Sequence, residues 1–269
     1  MRGYSQVSLK FAANLSFLYQ EIPFLDRFEA AAQDGFKGVE YLFPYEFEPA
    51  EIKKRLDDNG LTQALFNLSA GVFEKGERGL ASLTGREAEF QTSLDQAIEY
   101  ANALGCSRLH VMAGLRDTTI AAETQLAVYR NNLRTAAAAF AESGITALIE
   151  PINIQDMPGY FLDSTGMAAK LIEEINHPNL RLQFDIYHVQ RTDGDIVRQY
   201  KKFAPLIQHI QIANPPNRYE PDNGEINYPY IFDLLEAEGY KGWIGCEYKP
   251  SSTTRETLGW AQKFLNKAS

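Results

Sequence analysis

Four short apolar runs in the second half of the chain each carry an oxygen ligand at or near their end. They read Leu-Ile-Glu-Pro to Glu150, Leu-Gln-Phe-Asp to Asp185, His-Ile-Gln-Ile-Ala through Gln211, and Ile-Gly-Cys-Glu-Tyr-Lys-Pro through Glu247. An acid at the end of a buried run is costly unless its charge is paired or bound to a metal. Three such acids and an amide make a set of hard oxygen donors, which suits Mg²⁺ or Mn²⁺ better than a zinc site rich in His and Cys. Three carboxylates and one divalent cation sum to −1, so a cation would relieve the mutual repulsion of Glu150, Asp185 and Glu247. The competing reading is that Glu150 and Glu247 form ion pairs with Lys or Arg.

These four runs belong to a longer series. Strand-like apolar runs fall at 9–14, 38–42, 62–67, 108–112, 145–150, 180–185, 207–213 and 243–248, each about a strand in length and several rich in β-branched or aromatic residues. Stretches with helical spacing lie between them, among them 196–203 before Pro205 and 258–264 after the last run. Phe24, Leu25, Phe28 and Ala31 precede Gly35, Leu94, Ile98, Ala101 and Leu104 precede Gly105, and 126–141 precedes Gly144, each Gly standing where a helix C-cap would. Strands alternating with helices imply parallel pairing through right-handed crossovers. Eight units predict an α/β fold, a closed (β/α)₈ TIM barrel, as a single domain over 1–269. A doubly wound open sheet is the rival, but no Gly-x-Gly-x-x-Gly follows the first run and no Walker loop occurs. In a barrel the strand C-termini form the active face, so all four oxygen ligands share one rim. Two long connections, 68–85 and 214–227, are expected to dress it.

Composition narrows the partners. The 269 residues carry 26 Lys and Arg against 35 Asp and Glu, a net charge of −9. That balance argues against a nucleic-acid partner, which needs a basic footprint, and leaves room for a small anion held by a few local cations. No apolar run approaches a membrane span, and residues 1–10 lack the apolar core of a secretory signal. Cys106 and Cys246, 140 positions apart, form neither a disulfide framework nor a zinc motif, which places the chain in a reducing cytoplasm. The sequence leaves homo-oligomerisation open.

The chain resembles the hydroxypyruvate isomerase family of xylose-isomerase-like barrels. The resemblance rests on Phe11-Ala-Ala-Asn-Leu-Ser16, Gly38-Val-Glu-Tyr-Leu-Phe-Pro-Tyr45, Gly76-Glu-Arg-Gly79 with Gly85-Arg-Glu87, Ile149-Glu-Pro-Ile-Asn153, Gln183-Phe-Asp-Ile-Tyr-His188, Gly224-Glu-Ile-Asn-Tyr-Pro229 and Gly242-Trp-Ile-Gly-Cys-Glu-Tyr-Lys-Pro250. It implies interconversion of hydroxypyruvate and tartronate semialdehyde through an enediolate, with Glu150 and Glu247 as the proton donor and acceptor. It also implies a divalent metal held by Glu150, Asp185, Gln211 and Glu247. Close relatives act on 2-oxo-tetronate, and more distant ones are ketose 3-epimerases. The epimerases usually carry a histidine at the position of Gln211, a departure that weakens the epimerase alternative.

The implied substrate is a small hydroxy-oxo acid, so cations should lie near the rim. His188, expected on the loop leaving the sixth run, and Arg218 resemble epimerase residues that contact substrate oxygens, and Asp156 resembles an acidic substrate contact. Lys249 reads equally as a substrate contact or a rim ion pair. Arg78 and Arg86, in the long loop after the third run, read as a lid over the carboxylate or as solvated loop charges. Glu40 is expected to give structural support, His209 to stand behind Gln211, and His110 to be a satisfied core histidine. His177 reads as capping, Asn227 as a helix N-cap, and Cys246 as packing. A histidine-rich nuclease barrel is opposed by only four histidines and the acidic charge. A non-catalytic binder is opposed by competent donors at all four ligand positions.

Overall fold

The computed structural model describes residues 8–265. The eight apolar runs become strands β1 (Lys10–Asn14), β2 (Gly38–Tyr41), β3 (Thr62–Asn67), β4 (Arg108–His110), β5 (Thr146–Ile149), β6 (Leu180–Asp185), β7 (Ile207–Ile212) and β8 (Trp243–Cys246). All neighbours pair parallel and in chain order, and β1 pairs with β8 to close the barrel. The helices are α1 (Arg27–Gln33), α2 (Pro49–Asp58), α3 (Glu87–Leu104), α4 (Ala122–Glu142), α5 (Thr165–Ile175), α6 (Ile186–Thr192), α7 (Ile196–Phe203), α8 (Tyr228–Ala237) and α9 (Gln262–Leu265).

Local sequence explains these helices. In α2, Pro49 opens the first turn and Ile52 and Leu56 bury one face at i,i+4 spacing. The Ser164 side chain caps α5 by accepting from Met167 N, and Asn227 caps α8 by accepting from Tyr230 N. Gly105, at φ +67°, ends α3 in the left-handed conformation.

Most of the apolar core lies between the strands and the helix ring. A separate small cluster of Ala12, Ala64 and Trp243 packs apart from it. Along each strand, alternation then puts Asn14 above Ala12, Glu40 above Gly38, Gln211 above His209, and Gly245 and Glu247 above Trp243. The barrel interior is therefore apolar at its base and polar towards the rim, an arrangement that a purely structural barrel would not favour.

Two helical expectations change. The stretch after β6 carries two helices where one, at 196–203, was expected; the additional helix α6 starts directly after Asp185, so His188 sits in a helix and not in a loop. The last stretch, expected to be helical over 258–264, breaks into 3₁₀ turns at Arg255–Thr257 and Gly259–Ala261 before the short α9. No helix among the described residues is long and apolar enough to cross a membrane.

Candidate active site

Of the four rim residues, Glu150 and Glu247 line a cavity of about 170 Å³, and Asp185 and Gln211 stand behind its lining residues His188 and Gln183. Glu150 follows β5 by one residue, Asp185 ends β6, Gln211 lies in β7 and Glu247 follows β8. All four are buried. Glu150 directs Oε2 towards His110 Nδ1 at 3.5 Å, while its Oε1 has no hydrogen-bond partner. Asp185 Oδ1 accepts from Tyr187 N at 2.7 Å and from His188 N at 3.4 Å, and so caps α6, while its Oδ2 has no hydrogen-bond partner and lies 3.8 Å from Arg218 Nη2. Glu247 Oε2 accepts from Gln211 Nε2 at 2.6 Å and from Asn14 Nδ2 at 3.0 Å, and its Oε1 pairs with Arg218. Gln211 Oε1 accepts from Gln183 Nε2 at 2.6 Å.

Burial dominates the acid–base behaviour. It raises Glu150 well above the carboxylate range, with the nearby charges of Glu247 and Asp185 adding to the effect. It pushes Asp185 up to about 6 and Glu247 up to about 8, in each case against the opposing charge of Arg218. Burial also lowers His110 to about 3 and His188 well below its usual value, so both rings are neutral at pH 7.

The ligand atoms of Glu150, Asp185 and His188 lie within 4.8 Å of one another, close enough to hold a metal ion. Glu150 Oε1 and Asp185 Oδ2, the two oxygens without a hydrogen-bond donor, fit that role, because such buried carboxylate oxygens call for positive charge, which Arg218 supplies only at 3.8 Å from Asp185 Oδ2. The hydrogen bonds around His188 give its ring a different part. Asn153 Oδ1 accepts from Gln155 N and Asp156 N, which turns Asn153 Nδ2 towards His188 Nδ1 at 2.6 Å. Nδ1 is then an acceptor, and the neutral ring carries its proton on Nε2. That N–H faces Glu150 Oε1 at 3.8 Å and Asp185 Oδ2 at 3.7 Å.

Arg218 is the one Lys or Arg lining the cavity among the described residues. Its guanidinium lies 4.8 Å from the ring centre of Phe17 and 5.0 Å from that of Tyr187, as in cation–π contacts. Its backbone holds φ +60°, a left-handed conformation that costs a non-glycine residue about 1 kcal/mol or more, and Lys249 N fixes it by bonding to its carbonyl at 2.7 Å. Asp156 also lines the cavity and accepts from Tyr187 Oη at 2.7 Å.

The remaining cations stand elsewhere. β8 stops at Cys246, so Lys249 leaves the strand's alternation and lines a neighbouring recess with Ser16, Gln20 and Ser252. Arg78 does not line the cavity but stacks on Phe73, which does, at 4.1 Å from its centre. Arg86 is taken up by Glu77 and Glu89. His110 lines the cavity with Nε2 unpartnered and is not a satisfied core histidine. Asn14, Asn153 and Gln183 join the site without having stood out in the sequence. Their signal was weak, since a single amide on a strand or loop is ordinary until its neighbours are known.

The family model for the xylose isomerase-like TIM barrel matches residues 28–267. The chain belongs to this family. It is 52% identical to the 2-oxo-tetronate isomerase of Cupriavidus necator, over 96% of this chain and 99% of that one. It is 45% identical to the hydroxypyruvate isomerase of Escherichia coli K12, over 95% and 99%. Among solved structures it is similar to one described as AP endonuclease, family 2, from Brucella melitensis, with a TM-score of 0.93 and 45% identity over 95% and 99% of the two chains. Within the xylose isomerase-like family, then, similar chains carry both isomerase and nuclease descriptions, and the site has to decide between them.

Proposed function

We propose that this protein is an aldose–ketose isomerase that interconverts hydroxypyruvate and tartronate semialdehyde with Mg²⁺ or Mn²⁺. The observation that carries this reading is the gathering of three buried carboxylates, two with an oxygen that lacks a hydrogen-bond donor, at and beside a small cavity holding one arginine. Similarity to isomerases of short oxo acids supports it. The net charge of −9 opposes a nuclease. Two free, buried cysteines fit a reducing compartment, and we assign the cytoplasm.

Glu150, Asp185, Gln211 and Glu247 would hold the metal. When bound, it supplies Lewis-acid polarisation of the carbonyl and charge stabilisation of the enediolate. Arg218 is placed to receive the substrate carboxylate, leaving Glu247 as it does so, and its planar fork suits that group. One of Glu247 and Glu150 removes a proton from C3, and a proton returns to C2. The O3 hydroxyl loses its proton as O2 gains one. His188 Nε2–H, facing the carboxylates, can donate to a substrate oxygen throughout. A cavity this small, walled by Phe17, Phe73 and Met112, keeps bulk water from the carbanion.

The test is incubation of metal-stripped protein with hydroxypyruvate in D₂O, with and without Mn²⁺, followed by NMR. Metal-dependent tartronate semialdehyde carrying deuterium at C2 is expected, with Glu247→Gln slower by about 10²–10⁴-fold. Full activity in Glu247→Gln would overturn the assigned role. The 52% identity to a 2-oxo-tetronate isomerase favours a second reading, the same chemistry on that four-carbon acid. Turnover of 2-oxo-tetronate with silence towards hydroxypyruvate would establish it.

A further inference from the structure

Below the rim lies a fourth buried carboxylate that the proposed reaction does not use. Glu40, in β2, is fully buried. Its Oε1 accepts from Asn14 Nδ2 at 3.0 Å and from Gln211 Nε2 at 2.8 Å, and its Oε2 meets His209 Nε2 at 2.7 Å. The same two amide nitrogens also donate to Glu247 Oε2. Two carboxylate oxygens and two amide nitrogens thus alternate around a closed ring that ties β7, β8, β1 and β2 together.

The ring has a fixed sense. Asn14 Oδ1 accepts from Ser16 N at 3.0 Å, so Asn14 must turn its nitrogen to the carboxylates. Gln211 faces two carboxylate oxygens, and flipping its amide would set its own oxygen against both. Its nitrogen therefore faces Glu40 and Glu247, and its oxygen faces Gln183 Nε2 at 2.6 Å. Gly245 makes room for Glu40, because a Cβ at that position would stand 2.2 Å from Glu40 Oε1.

We infer that Glu40 is the positioning residue for Gln211, holding its amide in the one orientation that keeps Oε1, which accepts from Gln183 Nε2, as the oxygen donor of the proposed metal site. The inference rests on the proposed metal site. A carboxamide, unlike a histidine, has two nearly isosteric orientations of which only one offers an oxygen. An acceptor behind its nitrogen removes the wrong one. The neighbours of a metal ligand typically contribute about 10–100-fold in affinity by this means.

Mn²⁺ titration calorimetry on wild type, Glu40→Asp and Glu40→Gln, each also with Gln211→Ala, provides the test. Glu40→Asp keeps the charge but withdraws the carboxylate by one methylene. Both Glu40 variants should bind Mn²⁺ about 10–100-fold more weakly, and the effect should vanish in the Gln211→Ala background. An unchanged affinity in Glu40→Asp, or an equal loss in the Gln211→Ala background, would mean that Glu40 acts through bulk charge or fold and would overturn the inference. Thermal unfolding in EDTA checks that each variant folds. If none folds, or if wild type binds no Mn²⁺ and the metal reading itself fails, NMR on metal-free wild type still decides. The Gln211 NH₂ protons should be slowly exchanging and hydrogen-bonded, and rapid exchange from a rotating amide would sink the idea.

Discussion

His188 receives two donors on Nδ1, from Asn153 Nδ2 at 2.6 Å and Asn153 N at 3.5 Å. Its Nε2 looks into the cavity. Ring nitrogens are distinct, and the bond made by one sets the job of the other. With Asn153 pinned by two backbone N–H groups, the neutral ring is locked as a donor at Nε2 and does not serve as a metal ligand. The ¹⁵N spectrum of metal-free protein should therefore show a protonated Nε2 and an unprotonated Nδ1 for His188 at neutral pH, unchanged by Mg²⁺. Asn153→Ala should give a mixture of tautomers. A proton on Nδ1 in wild type, or loss of the Nε2 proton on adding Mg²⁺, would show that His188 is a ligand after all.

The join between β6 and α6 puts one residue to two uses. Asp185 is the last residue of the strand and the N-cap of the helix, with Oδ1 spent on the cap and Oδ2 left without a hydrogen-bond donor. The two uses separate by mutation. Asn caps as well as Asp, whereas Ala loses the cap at a cost of about 1 kcal/mol, about 2 °C for a chain of this size. Asp185→Ala should therefore melt below Asp185→Asn in EDTA, while both lose Mn²⁺ binding to a similar degree. Equal melting temperatures would mean that the cap bond contributes nothing. The sequence shows Asp185 as a strand-end acid but hides α6. A seven-residue helix is shorter than the window in which helical periodicity can be read. Strand ends were legible to within a few residues because apolar runs stop where the barrel stops. Lys249 was not placed, because period-two alternation holds only while a strand continues, and β8 ends at Cys246.

Closure of the barrel makes the site. Asn14 and Glu247 are 233 positions apart, yet β1 pairs with β8 and brings them to 3.0 Å. Glu150, Asp185, Gln211 and Glu247 are readable from sequence because each lies within a residue of the end of its own strand. Asn14, Glu40 and Gln183 gain meaning only once strand order fixes which side chains face one another. Closure also concentrates negative charge, and that has a consequence for the whole molecule. Burial pushes Asp185 up to about 6 and Glu247 up to about 8. Acids with a folded pKa above the unfolded value bind protons more tightly when folded. Their stabilisation is full below the ordinary carboxylate range and is lost as pH rises through about 6 and then about 8. Metal-free protein should accordingly lose stability between about pH 5 and pH 8.5. Saturating Mn²⁺ competes with those same protons, so its stabilisation should grow over the same interval. Melting temperatures in EDTA and in excess Mn²⁺, measured at both ends of that range, test both statements. The gap between the two curves must widen with pH, and a constant or narrowing gap would mean that the metal binds away from the buried carboxylates.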